Sequence, residues 1–336
     1  MNAPAFRLLL PPRIEQAADL PEGEVYMLAG ACMGTTWSVR VVMTERIEPR
    51  TLQSGIAELL ESLEAQLSHF RASSPLRRFA ALAPGQWLAL PPEFAQVMRA
   101  ALAVARLSAG AFDPALAPAI DAWGFGAARR YSDVGFEPPV HAQPASGHGW
   151  QALELDEGGR LHQPGGVALN LSAIAKGFAV DAVAAWLARQ GLVHHLVEVG
   201  GELRGSGLKP DAQPWWVALE SPAAGCPLQP TRIALHGLAV ATSGDYRRRY
   251  LLDERLIQHT LDPRSGAPVA HGLASVTVIH AECMYADAWA TALMVLGPQA
   301  GLELAEAQGL RALLQWRDAC GNWCEAASLA FRALQA

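Results

Sequence analysis

In the segment TTWSVRVV (35–42) apolar and polar positions alternate with a period of two, the pattern of a strand with one buried face. The period then changes. TLQSGIAELLESLEAQLSHF (51–70) repeats its apolar residues every three to four positions. PPEFAQVMRAALAVARLSAG (91–110) does the same between an opening proline pair and Gly110, so both read as amphipathic helices. WQALELDEGGRLHQ (150–163) reads as a hairpin around Glu157, Gly158 and Gly159, VALNLS (167–172) as a strand, and IAKGFAVDAVAAWLARQ (174–190) as a helix stopped at Gly191. HHLVEVGG (194–201), WWVALE (215–220), TRIALHGLAVAT (231–242), RLIQHTL (255–261) and LASVTVI (273–279) add strands. The tail pairs QGLRALLQW with WCEAASLAF across Cys320, Gly321 and Asn322, a closing hairpin.

Strands outnumber helices and mostly follow one another without regular crossover helices. This predicts an α+β fold of mixed, mostly antiparallel sheets packed with helices, not a doubly wound parallel sheet. Residues 1–24 show little periodicity and are expected to form an N-terminal arm ahead of one domain, 25–336. A loop rich in Gly, Pro, Ala and His at 124–149 divides that domain into two potential lobes.

Composition narrows the class. The chain has 336 residues, 51% hydrophobic and 17% charged, enough for a large buried core. Its net charge of −6 argues against a nucleic-acid partner. Five cysteines without a CxxC pair suggest neither a disulfide framework nor a zinc site. LAGAC (28–32) has the small residues that precede a lipidated cysteine, but PEGEVY before it is acidic, so it reads as a strand start. With no signal peptide and no membrane segment visible, a cytoplasmic protein is expected.

Five stretches carry candidate chemistry. In MYADAWATALMV (284–295), Asp287 and Thr291 stand four residues apart, which on a helix puts both oxygens on one face. They are either a capping residue and a back-bonded threonine, or two hard oxygen ligands of the kind Mg²⁺ takes beside phosphate oxygens. LNLSAIAKGFAVD (169–181) feeds a helix opening with Lys176. That lysine is either a solvated first-turn residue or a charge that joins the helix N-terminus in holding a phosphate. In QHTLDPRSGAPV (258–269), His259 precedes a turn and suits a phosphate hydrogen bond or a proton acceptor. AFDPALAPAIDAWGFG (111–126) mixes aromatics with glycines that admit a flat ligand. In ATSGDYRRRY (241–250), Ser243, Gly244 and Asp245 read as a tight turn before Arg247 to Arg249, either a solvated edge or a contact for an acidic partner.

Together with CMGTTWSV (32–39) and VEVGGELRGSG (197–207), these stretches, in this order, resemble the FAD:protein FMN transferases, the ApbE-type family. The resemblance runs from about residue 31 to 296. It implies a tunnelling-fold-related α+β architecture that binds FAD and Mg²⁺ and transfers FMN to a threonine, sometimes serine, of an acceptor protein, releasing AMP. Carried over residue by residue, Asp287 and Thr291 become metal ligands with the carbonyl of Ala173. Met33, Phe70, Ala111, Phe112, Asp113, Asn170, Lys176, His259 and Leu261 fall at FAD-contacting positions. The base is His259 or Asp287, with His259 favoured. Three positions depart from the family pattern: Asn170 replaces a common Asp, Pro75 in RASSPLRRFA replaces an acidic residue, and Ala115 replaces a Thr. Two other activities fit the same residues, an FAD pyrophosphatase in which water is the nucleophile and a flavin-binding carrier without turnover.

Overall fold

The computed structural model describes residues 6–12, 20–44, 47–139, 149–245, 249–252 and 255–336. Eight strands form the main sheet: β1 (Glu24–Cys32), β2 (Thr35–Met43), β3 (His195–Val199), β4 (Glu202–Ser206), β5 (Leu238–Gly244), β6 (Leu273–His280), β7 (Arg311–Arg317) and β8 (Trp323–Ala327). Their order across the sheet is their order along the chain, and each neighbouring pair is antiparallel. The α+β class with mostly antiparallel sheets is therefore the one observed.

Alternation decides the two faces of this sheet. Val39, Val41, Val197, Val199, Ala239, Ala241, Val276 and Val278 point into one core, while Val42, Leu196, Leu238, Val240 and Ile279 point into another. The first core is covered by helices α1 (Pro49–Leu67), α2 (Pro75–Ala80), α3 (Pro92–Leu107), α5 (Ala175–Arg189), α6 (Cys283–Leu296) and α7 (Pro298–Ala307), while α4 (Ala117–Ala122) packs in a separate small cluster with Leu116, Trp123 and Leu261. The second lies under a three-stranded sheet of Arg7–Leu9, Thr231–Leu235 and Trp215–Ala218. Within the segment expected to be an arm, Arg7–Leu9 pairs in parallel with Thr231–Leu235, and Leu9 is fully buried. Residues 1–5 and 13–19 lie outside the described residues, as do 140–148 of the 124–149 loop.

Helix α6 runs through the middle of the molecule. Ala286, Asp287, Ala288, Trp289, Ala290, Ala292, Leu293 and Met294 are all buried, so a one-sided apolar stripe is not to be expected in its sequence. It packs against α5 so closely that a Cβ on Gly177 would sit 2.4 Å from the carbonyl oxygen of Cys283. Among the described residues no helix is long and apolar enough to cross a membrane.

Two local expectations are corrected. The segment 167–172 joins no sheet. Asn170 instead donates its N–H to Pro114 and accepts from the Ser172 N–H at 2.9 Å, so the chain turns where the alternation suggested a ladder. Ser243 and Gly244 end β5 rather than forming a tight turn, because β6 continues to pair with them. Of the arginine run, Arg249 opens the short strand Arg249–Leu252, and Arg247 and Arg248 lie outside the described residues.

Candidate functional site

The sequence around Lys176 places a lysine and a glycine in the first turn of α5, and the fold brings two acids to them. Lys176 forms an ion pair with Glu202, the first residue of β4, and the Gly177 N–H donates to Asp287 Oδ2 at 3.0 Å. Glu202 and Asp287 are buried, at 3% and 4% exposure. Burial pushes the Glu202 carboxyl up to about 7, with Asp287 adding to the rise and Lys176 opposing it. Asp287 is raised by the same burial against the pull of Lys176 and the Gly177 N–H. Burial lowers the Lys176 pKa, but the two carboxylates outweigh it and leave the ammonium raised. Glu202 Oε2 is buried and accepts no hydrogen bond from the protein. Two buried acids thus face one half-buried base, and burial holds both carboxyls toward their protonated forms, a tendency that added positive charge would reverse.

This geometry settles two alternatives left open by the sequence. Asp287 lies inside α6, whose N-terminus is held by another carboxylate: Asp181 accepts from Cys283 N–H at 3.0 Å and Met284 N–H at 2.9 Å, and pairs with Arg204. Asp287 is therefore not the cap. Lys176 is not a solvated first-turn lysine, since its ammonium is engaged by Glu202. The start of α5 is also less open than expected, because the Ala175 N–H bonds Leu171 and the Gly177 N–H bonds Asp287.

One helical turn beyond Asp287, the Thr291 hydroxyl lies 3.2 Å from Ser243 Oγ at the end of β5. Ala173 lies half-buried in the turn that enters α5, between Asn170 and Lys176. A carboxylate, a hydroxyl and a main-chain carbonyl are hard oxygen donors of the type Mg²⁺ takes. Among the described residues, no group of three or more His, Cys, Asp or Glu gathers at one point.

The other candidate residues lie on separate elements. Asp113 accepts from the Ala115 N–H at 2.8 Å and the Trp150 N–H at 3.2 Å, and burial raises its pKa against those bonds. Ala111 and Phe112 are core residues with 1% and 3% exposure, and both N–H groups donate to Ser108. The His259 ring lies 6.2 Å from that of Phe125, edge on, within an aromatic group where Tyr131 and Tyr250 stack at 5.0 Å. Leu261 packs with Leu116 and Trp123, whose indole N–H donates to the Gly266 carbonyl at 2.8 Å and so ties the WGFG loop to the turn after His259. Met33 sits at the tip of the β1–β2 hairpin, and Phe70 is exposed beyond the end of α1.

Sequence reading did not single out Glu202 or Asp181. Both lie inside quoted motifs, VEVGGELRGSG and LNLSAIAKGFAVD, and an acid directly after two glycines was the available signal for Glu202.

Comparison with known proteins places this arrangement. The family model described as the ApbE family matches residues 33–314. The chain is 35% identical over 297 residues to the FAD:protein FMN transferase of Vibrio cholerae, covering 88% of each chain. It is 31% identical over 304 residues to that of Escherichia coli K12, covering 88% of this chain and 85% of the relative. The apo crystal structure of the Pseudomonas stutzeri flavinyl transferase ApbE superposes with a TM-score of 0.83 at 36% identity, over 94% of this chain and 98% of the other. With the family model, the curated relative and the superposed structure all matching along most of its length, this chain belongs to the ApbE family.

Proposed function

We propose that this chain is an Mg²⁺-dependent flavinyltransferase that moves FMN from FAD to a threonine or serine hydroxyl of an acceptor protein and releases AMP. The observation that carries the reading is the cluster of Lys176 with the buried acids Glu202 and Asp287, whose ammonium and hard oxygen donors suit a divalent cation beside a pyrophosphate. The names of the relatives support the flavin chemistry.

Asp287, Thr291 and the Ala173 carbonyl hold the cation, which when bound supplies positive charge against the pyrophosphate oxygens. Lys176 is steered by Glu202 and contributes a fixed ammonium to the same oxygens, where charge builds as the acceptor attacks. The acceptor hydroxyl oxygen bonds the phosphorus of the FMN half, the bond from that phosphorus to the AMP oxygen breaks, and the hydroxyl proton passes to His259. Asp287 is the second candidate base, but its role as a cation ligand competes with proton transfer. Met33, Phe70, Asp113, Asn170, Leu261 and the main chain at Ala111 and Phe112 hold FAD. Asn170 is an amide, so it contacts the flavin or ribose without adding charge.

The test is direct. Incubation with FAD, Mg²⁺ and an acceptor carrying a Ser-Gly-Ala-Thr segment is expected to give a fluorescent covalent flavin adduct and AMP in equal amounts. AMP formed at the same rate without acceptor makes the protein an FAD pyrophosphatase. FAD binding with neither product makes it a flavin carrier.

A further inference from the structure

Two of the positions assigned above to the flavin stand on separate elements, and one carboxylate reaches toward both. Strands β1 and β2 are joined by Met33 and Gly34, with Cys32 facing Thr35 in the ladder. Both turn residues are left-handed, Met33 at φ +50° and Gly34 at φ +71°. Such two-residue hairpins ask for positive φ at both positions, which suits Gly34 and strains Met33. A methionine kept in this conformation needs outside support.

That support comes from α1. The Met33 N–H donates to Glu64 Oε2 at 2.7 Å, a charge-assisted hydrogen bond on a half-buried side chain. The other oxygen, Glu64 Oε1, lies 3.5 Å from Arg71 Nη2. Arg71 is itself held by Glu61 through a two-point contact of 2.6 and 2.9 Å. Arg71 immediately follows Phe70, which is 52% exposed and whose N–H bonds Ser68 Oγ at 3.2 Å. Phe70 thus shows a large apolar ring to solvent on a segment that the same carboxylate ties to the strained turn, the condition of a preformed binding surface.

We infer that Glu64 is a positioning residue for the flavin substrate: it locks the Met33 turn and, through Arg71, the Phe70 segment into one preorganised platform. This rests on the flavinyltransferase reading, in which Met33 and Phe70 meet FAD. Glu64 has no part in the bond-making step, so its effect falls on FAD affinity and not on turnover at saturation.

The experiment measures FAD affinity by flavin fluorescence titration and, separately, kcat at saturating FAD, in the full-length protein. Glu64→Ala is expected to weaken FAD binding about tenfold, with kcat within about twofold of the parent. Glu64→Asp keeps the charge but is one methylene too short to reach Met33, and is expected to lose at least about fivefold. Glu64→Gln keeps the reach and an acceptor oxygen for the Met33 N–H but turns an amide NH2 toward Arg71, so it is expected to lose about threefold, less than Glu64→Asp. The Asp and Gln pair decides the matter if the alanine variant does not fold, and that pair separates this role from a general structural one. FAD affinity unchanged in Glu64→Asp, Glu64→Gln as weak as Glu64→Asp, or a fall in kcat with unchanged affinity each overturns the inference. A parent protein that binds no FAD overturns the flavin reading itself, a result visible before any variant is made.

Discussion

Replacing Gly177 by alanine tests the central packing of the site. In an ordinary helix this change stabilises by about 1 kcal/mol, since alanine is the better helix former. Gly177 has a normal helical backbone and no positive φ, so no conformational cost attaches to the substitution itself. Its Cβ, however, would lie 2.4 Å from the Cys283 carbonyl oxygen, 2.7 Å from the Cys283 carbonyl carbon and 2.8 Å from Met284 Cα. Those atoms are backbone at the start of α6, pinned by Asp181, and no side-chain rotation relieves the clash. Overpacking of this kind costs about 1–3 kcal/mol, and here the upper end applies. Moving α5 from α6 also stretches the Gly177 N–H bond to Asp287, and a hydrogen bond to a charged group contributes about 1.5–3 kcal/mol. After subtracting the propensity gain, Gly177→Ala is expected to destabilise by about 3.5–5 kcal/mol. Urea unfolding monitored by tryptophan fluorescence measures this, and the cation affinity should weaken in parallel because Asp287 is displaced. A variant as stable as the parent, or more stable, refutes the reasoning about helix contact.

Two further substitutions probe the charge cluster. The folded Glu202 pKa of about 7 exceeds the reference value of 4.5, so the folded state keeps a proton that the unfolded chain loses between those values. Stability from this group is therefore full below about pH 4.5 and declines as pH rises toward 7; urea midpoints across that range should fall less in Glu202→Gln, and an identical slope in both proteins would contradict the assignment. Asp287→Asn retains an acceptor for the Gly177 N–H but loses the charge, so it should fold and yet show at least about 100-fold lower kcat/KM with no response to added Mg²⁺.

The residues that made the fold legible are those with a strong local period. The alternation in TTWSVRVV and LASVTVI led to β2 and β6, and the spacing in 51–70 and 91–110 led to α1 and α3. VALNLS misled because Val167, Leu169 and Leu171 alternate into the core as a strand would, while Asn170 turns the backbone away from any partner. Helix α7 left little trace, a ten-residue segment opening at Pro298 with Gly301 packed against α6. Pro75 shows how a departure from the family pattern is absorbed: it takes the first position of α2, where no N–H is needed, and Ser74 caps the helix by accepting from the Arg77 N–H.

The sequence by itself determined that Asp287 and Thr291 share a helix face, that Lys176 opens α5 and that the class is α+β, because each follows from spacing between near neighbours. Tertiary structure decided what those groups meet. Glu202 reaches Lys176 from 26 residues away, and Asp181 caps α6 across 102 residues. Gly177 accepts the approach of α6 only because it lacks a Cβ. Local sequence carries no record of which distant acid shares a lysine, and burial, which raises Glu202 and Asp287 together, exists only once the sheet and helices have closed around them.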